Sequence, residues 1–260
     1  MKNDLTFRII TCTWNSIRTV SETIDSVNQQ DYSRVQQIFV DGGSTDGTIE
    51  FVQSHCPDAL ILRDVKGGIS HAMNVGIKAA SGDVIAHLHS DDYYVAPDVL
   101  SAVALALGSG AQWAYGNIDV LRYGEYVNAE YPMRPFSISR YAAGRASVSH
   151  PAVFVRAAAF REVGLFDESL KYAMDIDLWF RLGARYAPVQ LDRSLTVFRE
   201  HDGSLSTANK LKAREEDWRV RMRYFSQAPL ETMFYGVRQW RQVRRLRREF
   251  ALPSARVRSP

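Results

Sequence analysis

Short apolar runs alternate with amphipathic ones along the first 120 residues. Arg8–Thr13 reads as a buried strand, and Val20, Ile24 and Val27 then recur on one helical face behind a Thr19-Val-Ser-Glu22 capping-box pattern. Gln37–Val40 predicts a second strand. It runs into Asp41-Gly42-Gly43-Ser44-Thr45-Asp46-Gly47, a stretch of turn formers. A helix over Thr48–His55, a strand over Leu60–Leu62 and a helix marked by Ile69, Met73, Ile77 and Ala80 follow, the last ended by Ser81-Gly82-Asp83. Val84–Leu88 is the next strand. Pro97 sits near the first turn of a helix through Val99, Leu100 and Val103, and Trp113–Ile118 reads as a strand. Repeated strand–helix units predict a mostly parallel, doubly wound α/β sheet.

The second part is less regular. Residues 120 to 145 read as loop or lid, Arg156–Val163 as a short helix closed by Gly164, and Asp175–Leu182 as a helix with Leu178 and Leu182 inward. Val189–Leu191 and Leu195–Phe198 read as separate short strands, and from Lys210 the chain becomes helical and charged. This divides the chain into a domain over 1–205, with a nucleotide-binding half (1–118) and an acceptor half (119–205), and a helical basic extension over 206–260.

Composition changes little in this picture. A chain of 260 residues, 46% hydrophobic and 23% charged, is long enough to bury a core without disulfides, and Cys12 and Cys56 form neither a framework nor a paired metal spacing. No run approaches the ~20 apolar residues of a membrane span, so a soluble, cytoplasmic protein is expected. The net charge is only +3, yet Arg238 to Arg258 holds eight arginines and one acid, Glu249. With Trp240, Val243 and Leu246 between them, these arginines suit either a peripheral membrane-surface helix or a solvated packing arm.

Chemistry-bearing residues gather at predicted strand ends, where open α/β sheets bind ligands. Thr11, Thr13, Trp14 and Asn15 follow the first strand and Asp41 the second, a mixture of acid and flat ring that suits a nucleotide; the alternative for Asp41 is a turn builder. Asp91 and Asp92 follow an apolar strand. Adjacent carboxylates repel unless a cation or solvent intervenes, and a hard divalent ion (Mg²⁺ or Mn²⁺) shared with phosphates would neutralise a departing diphosphate. The alternative is an N-cap pair for the helix near Pro97. His89 shares a face with Asp91 as ligand or as structural residue. Asp175 and Asp177 point about 160° apart on a helix, so one faces a site while the other caps or meets solvent. Asp175, at the helix start, is the candidate base for an acceptor hydroxyl, or a plain N-cap. Arg199 and His201 suit a diphosphate, a metal or a bland surface role.

These motifs, in this order over about residues 7 to 205, resemble the family 2 inverting glycosyltransferases of GT-A fold that build bacterial surface polysaccharides. Ile9–Asn15 is similar to that family's first strand and nucleotide turn, and Val40–Thr48 to its second motif. Gly67–Ile77 is similar to the donor-side helix, His87–Asp92 to the metal motif, and His150–Arg156 with Gly164–Leu170 to the lead into Asp175–Trp179. The resemblance implies nucleotide contacts from Thr11, Thr13, Trp14, Asn15, Asp41, Ser70, Asn74 and Asp91. It implies metal ligation by Asp91 with Asp92, His89 and His201, and acceptor-side roles for His150, Asp177 and Arg199. Asp175 matches the catalytic base. The implied donor is a UDP-, GDP- or dTDP-sugar, and the acceptor a saccharide or lipid-linked saccharide in exopolysaccharide or O-antigen synthesis, at the inner face of the plasma membrane. No nucleic-acid partner is expected.

Departures from the pattern are His89 where an acid is usual, Gly42 for the second acid, Met174 for a common Glu and His71 for another common acid. They leave a non-catalytic nucleotide-sugar or polysaccharide-binding protein as the alternative. A nucleotidyltransferase is the weaker one, because no phosphate-binding Gly-rich loop follows the first strand.

Overall fold

The computed structural model describes residues 4–127, 134–200 and 209–251. Within them the strands form one nine-stranded sheet, ordered β3-β2-β1-β4-β8-β6-β9-β5 with β7 paired to β6. The strands are β1 (Phe7–Thr13), β2 (Val35–Asp41), β3 (Leu60–Leu62), β4 (Val84–His87), β5 (Tyr93–Tyr94), β6 (Trp113–Arg122), β7 (Glu125–Val127), β8 (Val153–Arg156) and β9 (Val189–Glu200). The parallel character expected of the whole sheet belongs to β3, β2, β1 and β4. Past β4 the sheet is mixed, with β8 antiparallel to both β4 and β6, and β6 parallel to β9.

The helices are α1 (Val20–Asn28), α2 (Thr48–His55), α3 (Ile69–Ala79), α4 (Val99–Leu107), α5 (Ile138–Ala142), α6 (Ala157–Val163), α7 (Met174–Arg185), α8 (Lys210–Arg223) and α9 (Pro229–Ala251). They cover both faces of the sheet, which is why its central strands carry buried apolar residues on both sides. Alternation sorts the side chains. Ile10, Cys12, Ile38, Val40, Trp113 and Tyr115 face one core with α3 and α7. Phe7, Ile9, Val84, Ala86 and Ala114 face the other with α4. Gly76 lets α3 lie directly on β1, since a Cβ there would stand 2.6 Å from Ile10 Cγ2.

Several expectations shift in detail, each for a physical reason. The Thr19–Glu22 capping box is not formed. Thr19 makes no side-chain cap, and the Glu22 carboxylate is drawn to Arg199 instead. The helix near Pro97 begins at Val99, with Asp98 at its N-cap position and bidentate to Arg193 at 2.7 and 2.8 Å. Asp91 and Asp92 therefore cap nothing there. β6 runs on to Arg122 and turns into β7, so part of the expected loop is strand. Val153–Arg156 is a strand leading straight into α6, not the beginning of the helix. The polar Asp192–Ser194 interruption does not split β9; it is absorbed by an irregular register against Asn117, where Ser194 Oγ donates to Asp119 at 2.5 Å. Cys12 and Cys56 are buried and unpaired, and burial pushes the Cys12 thiol up to about 12. Among the described residues no helix is long and apolar enough to cross a membrane.

Candidate active site

The carboxyl ends of β1 and β2 lie side by side, Thr13 opposite Asp41. Asp41 is buried and organises the turn after it. Its Oδ1 accepts from Ser44 Oγ (2.5 Å) and Thr13 Oγ1 (3.3 Å), and its Oδ2 from the backbone N–H groups of Gly43 (2.9 Å) and Ser44 (3.0 Å). These four bonds fill a carboxylate's ordinary accepting capacity, so the turn-building role expected as an alternative is present. Asn15 adopts a positive φ of 51°, which an Asn side chain tolerates. It ties the two turns together, its N–H donating to Ser44 Oγ (2.8 Å) and its Oδ1 accepting from Thr45 N–H (2.9 Å). Trp14 stands over Gly42 and is 70% exposed, a flat apolar ring presented at the rim. Thr11 lies fully buried beneath, with a hydroxyl that has no partner among the described residues.

Ser70 and Asn74, expected at the nucleotide, both bond within the protein. Both are buried on the inward face of α3 and hold the segment before α7. Ser70 Oγ donates to Leu170 O (2.9 Å). Asn74 Nδ2 donates to Phe166 O and Glu168 Oε1 (both 2.9 Å), while its Oδ1 accepts from Phe166 N–H (3.0 Å). Glu168 also meets His71 Nδ1 at 2.9 Å. With its polar atoms so engaged, Asn74 acts as a bracket.

The acid turn after β4 separates its two carboxylates. Asp92 is buried, accepts from Arg199 N–H (3.0 Å), and is pushed well above the usual carboxylate range by burial and by Asp91 beside it. Asp91 is half-buried. Arg199, expected on the acceptor side, lies behind this turn: Nε donates to Asp91 O (3.1 Å), the guanidinium pairs with Glu22, and it packs 5.8 Å over the Tyr93 ring. Asp92 is thereby tied to β9 through its Oδ1. His201 lies outside the described residues.

His89 lies in a cluster of rings. It stacks on His150 at 5.3 Å and 15°, and His87 lies 5.3 Å from His150. His150 also meets Phe166 (5.7 Å) and Trp179 (6.1 Å). Burial pushes all three imidazoles down, His87 to about 3, so they are neutral at ordinary pH. His87 Nε2, His89 Nδ1, both His150 nitrogens and Trp179 Nε1 have no hydrogen-bond partner among the described residues. Unmet hydrogen-bonding capacity on this scale is costly in an interior. The rings also form a bridge, since Trp179 and Asp175 are four apart on one face of α7. They join the Asp91 turn to the Asp175 helix.

On α7 the two acids part as their spacing requires. Asp177 is buried in an ionic bracket: Arg181 Nε at 2.9 Å, Arg223 Nη1 at 3.3 Å and the Tyr224 hydroxyl at 2.8 Å. Arg181 in turn donates to the carbonyls of Val163, Gly164 and Leu165. Asp175 is half-buried, accepts from Ile176 N–H at 2.7 Å, and has no ion pair among the described residues. Burial raises its carboxyl to about 6, with Asp217 adding to the rise.

Three residues supporting this arrangement were not anticipated. Glu216, buried on α8, accepts from the backbone N–H groups of Lys171 (2.9 Å), Tyr172 (2.5 Å) and Ala173 (2.9 Å), the residues leading into α7. Asp217 and Arg221 pair at 2.7 Å, and Arg221 packs 4.1 Å over the Tyr235 ring while donating to the Tyr141 carbonyl. In sequence these residues sit in a charged run. The one available signal is spacing, because 216, 217, 220, 221 and 224 share one helical face.

Among the described residues no three His, Cys, Asp or Glu side chains surround a common point. A hard divalent cation still fits the donor set in one form. Asp91 would hold it, a cation there would relieve the repulsion between the two adjacent carboxylates, and most of its ligands would be phosphate and water oxygens.

The profile of Glycosyl transferase family 2 matches residues 8–163. The chain belongs to that family. An uncharacterized glycosyltransferase of Mycobacterium tuberculosis is 32% identical over 199 residues, covering 74% of each chain. A PGL/p-HBAD biosynthesis glycosyltransferase of Mycobacterium bovis is 28% identical over 198 residues, again 74% of each. Among solved structures, Staphylococcus aureus TarS 1–349 in complex with UDP-GlcNAc superposes with a TM-score of 0.69 at 21% identity, over 88% of this chain and 69% of that one. The mannosyltransferase PcManGT from Pyrobaculum calidifontis, in complex with GDP-Man and Mn²⁺, gives 0.67 at 18% identity over 91% and 69%. Against TarS 1–349 without a named ligand this chain covers 65% of the other's length. The family 2 sheet described above is thus the GT-A fold.

Proposed function

We propose that this family 2 glycosyltransferase moves a sugar from a nucleoside-diphosphate sugar to a hydroxyl of a saccharide or lipid-linked saccharide, with inversion, in surface-polysaccharide assembly at the cytoplasmic face of the plasma membrane. The observation that carries this reading is the contrast on α7. Asp177 is neutralised by two arginines, whereas Asp175, two residues earlier, is a half-buried carboxylate raised to about 6 by burial. Such a group is ionised at neutral pH yet basic enough to take a proton in the transition state. Asp175 accepts the proton of an acceptor hydroxyl as that oxygen bonds to the anomeric carbon. The anomeric carbon–oxygen bond to the diphosphate breaks on the opposite face, and the nucleoside diphosphate leaves with the electron pair.

The nucleotide is received at the rim formed by Thr13, Trp14 and Asn15, with the Trp14 ring against the base. Thr11 and Asp41 support that rim from below, and a base N–H that reached Asp41 would have to displace one of its four donors. Asp91 would hold a divalent cation, which would supply charge neutralisation on the departing diphosphate. We assign His150 to the acceptor side, where its ring packs against His89, Phe166 and Trp179. The nucleotide sugars held by TarS and PcManGT support this class of donor.

A thermal-shift screen of UDP, GDP and dTDP with and without Mn²⁺ is the direct test. The true donor's nucleotide raises the melting temperature in a metal-dependent way, by about 2.7 kcal/mol of added stability at a hundredfold excess over its Kd. No shift with any nucleotide, together with no release of sugar from any donor, would refute the reading and leave a protein of this fold without the activity.

A further inference from the structure

Helix α9 has two unlike faces. Thr232, Tyr235 and Gln239 are buried against the body of the molecule. Gly236 receives the Trp218 ring, Gln239 Nε2 donates to Arg214 O (2.6 Å), and Arg238 Nη2 donates to Gly144 O (3.0 Å). The helix is therefore fixed to the acceptor half, and its outer face is presented rigidly. That face carries Leu230, Met233, Phe234, Val237 and Trp240, each between 55% and 69% exposed. At 100° per residue they lie within about one third of the helix circumference. Scattered exposed apolar residues are ordinary; a contiguous stripe of five marks a binding surface.

The same stripe changes character along its length. Arg241, Arg244 and Arg248 continue it toward the C-terminus, all three exposed. The Arg244 guanidinium lies 5.2 Å over the Trp240 ring, and a shallow depression lined by Trp240, Val243, Arg244, Arg247 and Arg248 opens where the apolar and basic parts meet. Among the described side chains of α9 the acid is Glu231, half-buried at the other end.

The geometry points to α9 as a docking helix for an anionic lipid surface. Leu230, Met233, Phe234, Val237 and Trp240 lie at the level of the acyl chains and headgroups, and Arg241, Arg244 and Arg248 engage lipid phosphates. A bilayer interface supplies hydrocarbon and fixed negative charge along one plane, matching a face that is apolar for three turns and cationic for the next two. With about 35 Å of helix lying flat, the acceptor half of the molecule is turned toward the bilayer. This rests on α9 alone and is independent of the sugar-transfer reading.

The test is co-sedimentation of the full chain with vesicles of phosphatidylcholine alone or with about one third phosphatidylglycerol, near physiological salt. Binding is expected to the anionic vesicles and at least about tenfold weaker to the neutral ones, each arginine contributing about fivefold. Phe234→Glu with Trp240→Glu, and separately Arg241→Glu with Arg244→Glu, should each weaken binding by at least about tenfold with unchanged circular dichroism, since all four side chains are exposed. Should the apolar pair disturb folding, the arginine pair still decides. The inference is overturned if the wild-type chain ignores anionic vesicles or if both pairs bind as it does. It is also overturned if sedimentation shows a dimer that Phe234→Glu with Trp240→Glu dissolves while vesicle binding is absent.

Discussion

Asp175 and Asp177 differ by two positions and by almost everything their surroundings do to a carboxylate. Helical spacing separates them in the sequence, but only the fold brings Arg181, Arg223 and Tyr224 to one and a desolvated pocket to the other. Asp175→Asn should lower kcat by about 10²–10⁴-fold while nucleoside diphosphate binding, read by thermal shift, stays within a few-fold. In the wild type, kcat should fall as the pH drops through about 6, where the base becomes protonated. Stability has the opposite sense. A carboxyl raised by folding weakens the fold when ionised, an effect absent below about pH 4 and complete above its folded value. The asparagine variant should therefore melt higher than wild type near pH 8, by up to about 3 kcal/mol at about 1.4 kcal/mol per tenfold change in proton affinity. At low pH it should melt like wild type. Asp41→Ala leaves Gly43 and Ser44 N–H groups without their acceptor, so a loss of about 2–3 kcal/mol and weaker nucleotide binding are expected in denaturant melts and thermal shift.

At the scale of elements, the chemistry depends on how α7 is held. Glu216 gathers three backbone N–H groups just ahead of it, and Ser70 and Asn74 fasten the preceding segment to α3. Glu216→Ala should cost about 3 kcal/mol and lower kcat more than it raises the donor's KM, with Glu216→Gln recovering part of both, because charged hydrogen bonds are the strong ones. Most elements were legible from periodicity: α2 and β3 agree with their predicted bounds to the residue, and α7, though longer than expected at Met174–Arg185, buries Leu178 and Leu182 as its spacing required. What periodicity missed includes the short elements β5, β7 and α5, β8, four residues long and continuous with α6, and the union of β9 across a polar gap. Strand identity there is set by hydrogen bonding to β4 and β6, a non-local property.

For the whole molecule, α8 belongs to the core although its composition reads as a solvated extension. Val220 and Ala228 join the cluster around Trp113 and Trp179, and Tyr224 stacks on Phe180 at 4.6 Å. A chain cut before Asn209 should therefore lose cooperative unfolding, which a circular dichroism melt would show, instead of yielding a stable catalytic domain.

The order of motifs along the chain determined the fold class and the strand ends at which the polar residues collect, because short-range alternation and turn chemistry are properties of local sequence. Tertiary structure alone decided which of those polar groups remain available. Asp41, Asp92, Asn74, Asp177 and Arg199 are taken up by partners 2 to 177 residues away, while Asp175 is left with burial and a single backbone donor. Whether a charged side chain is a tool or a strut depends on what the fold sets beside it, and that neighbour is rarely close in sequence.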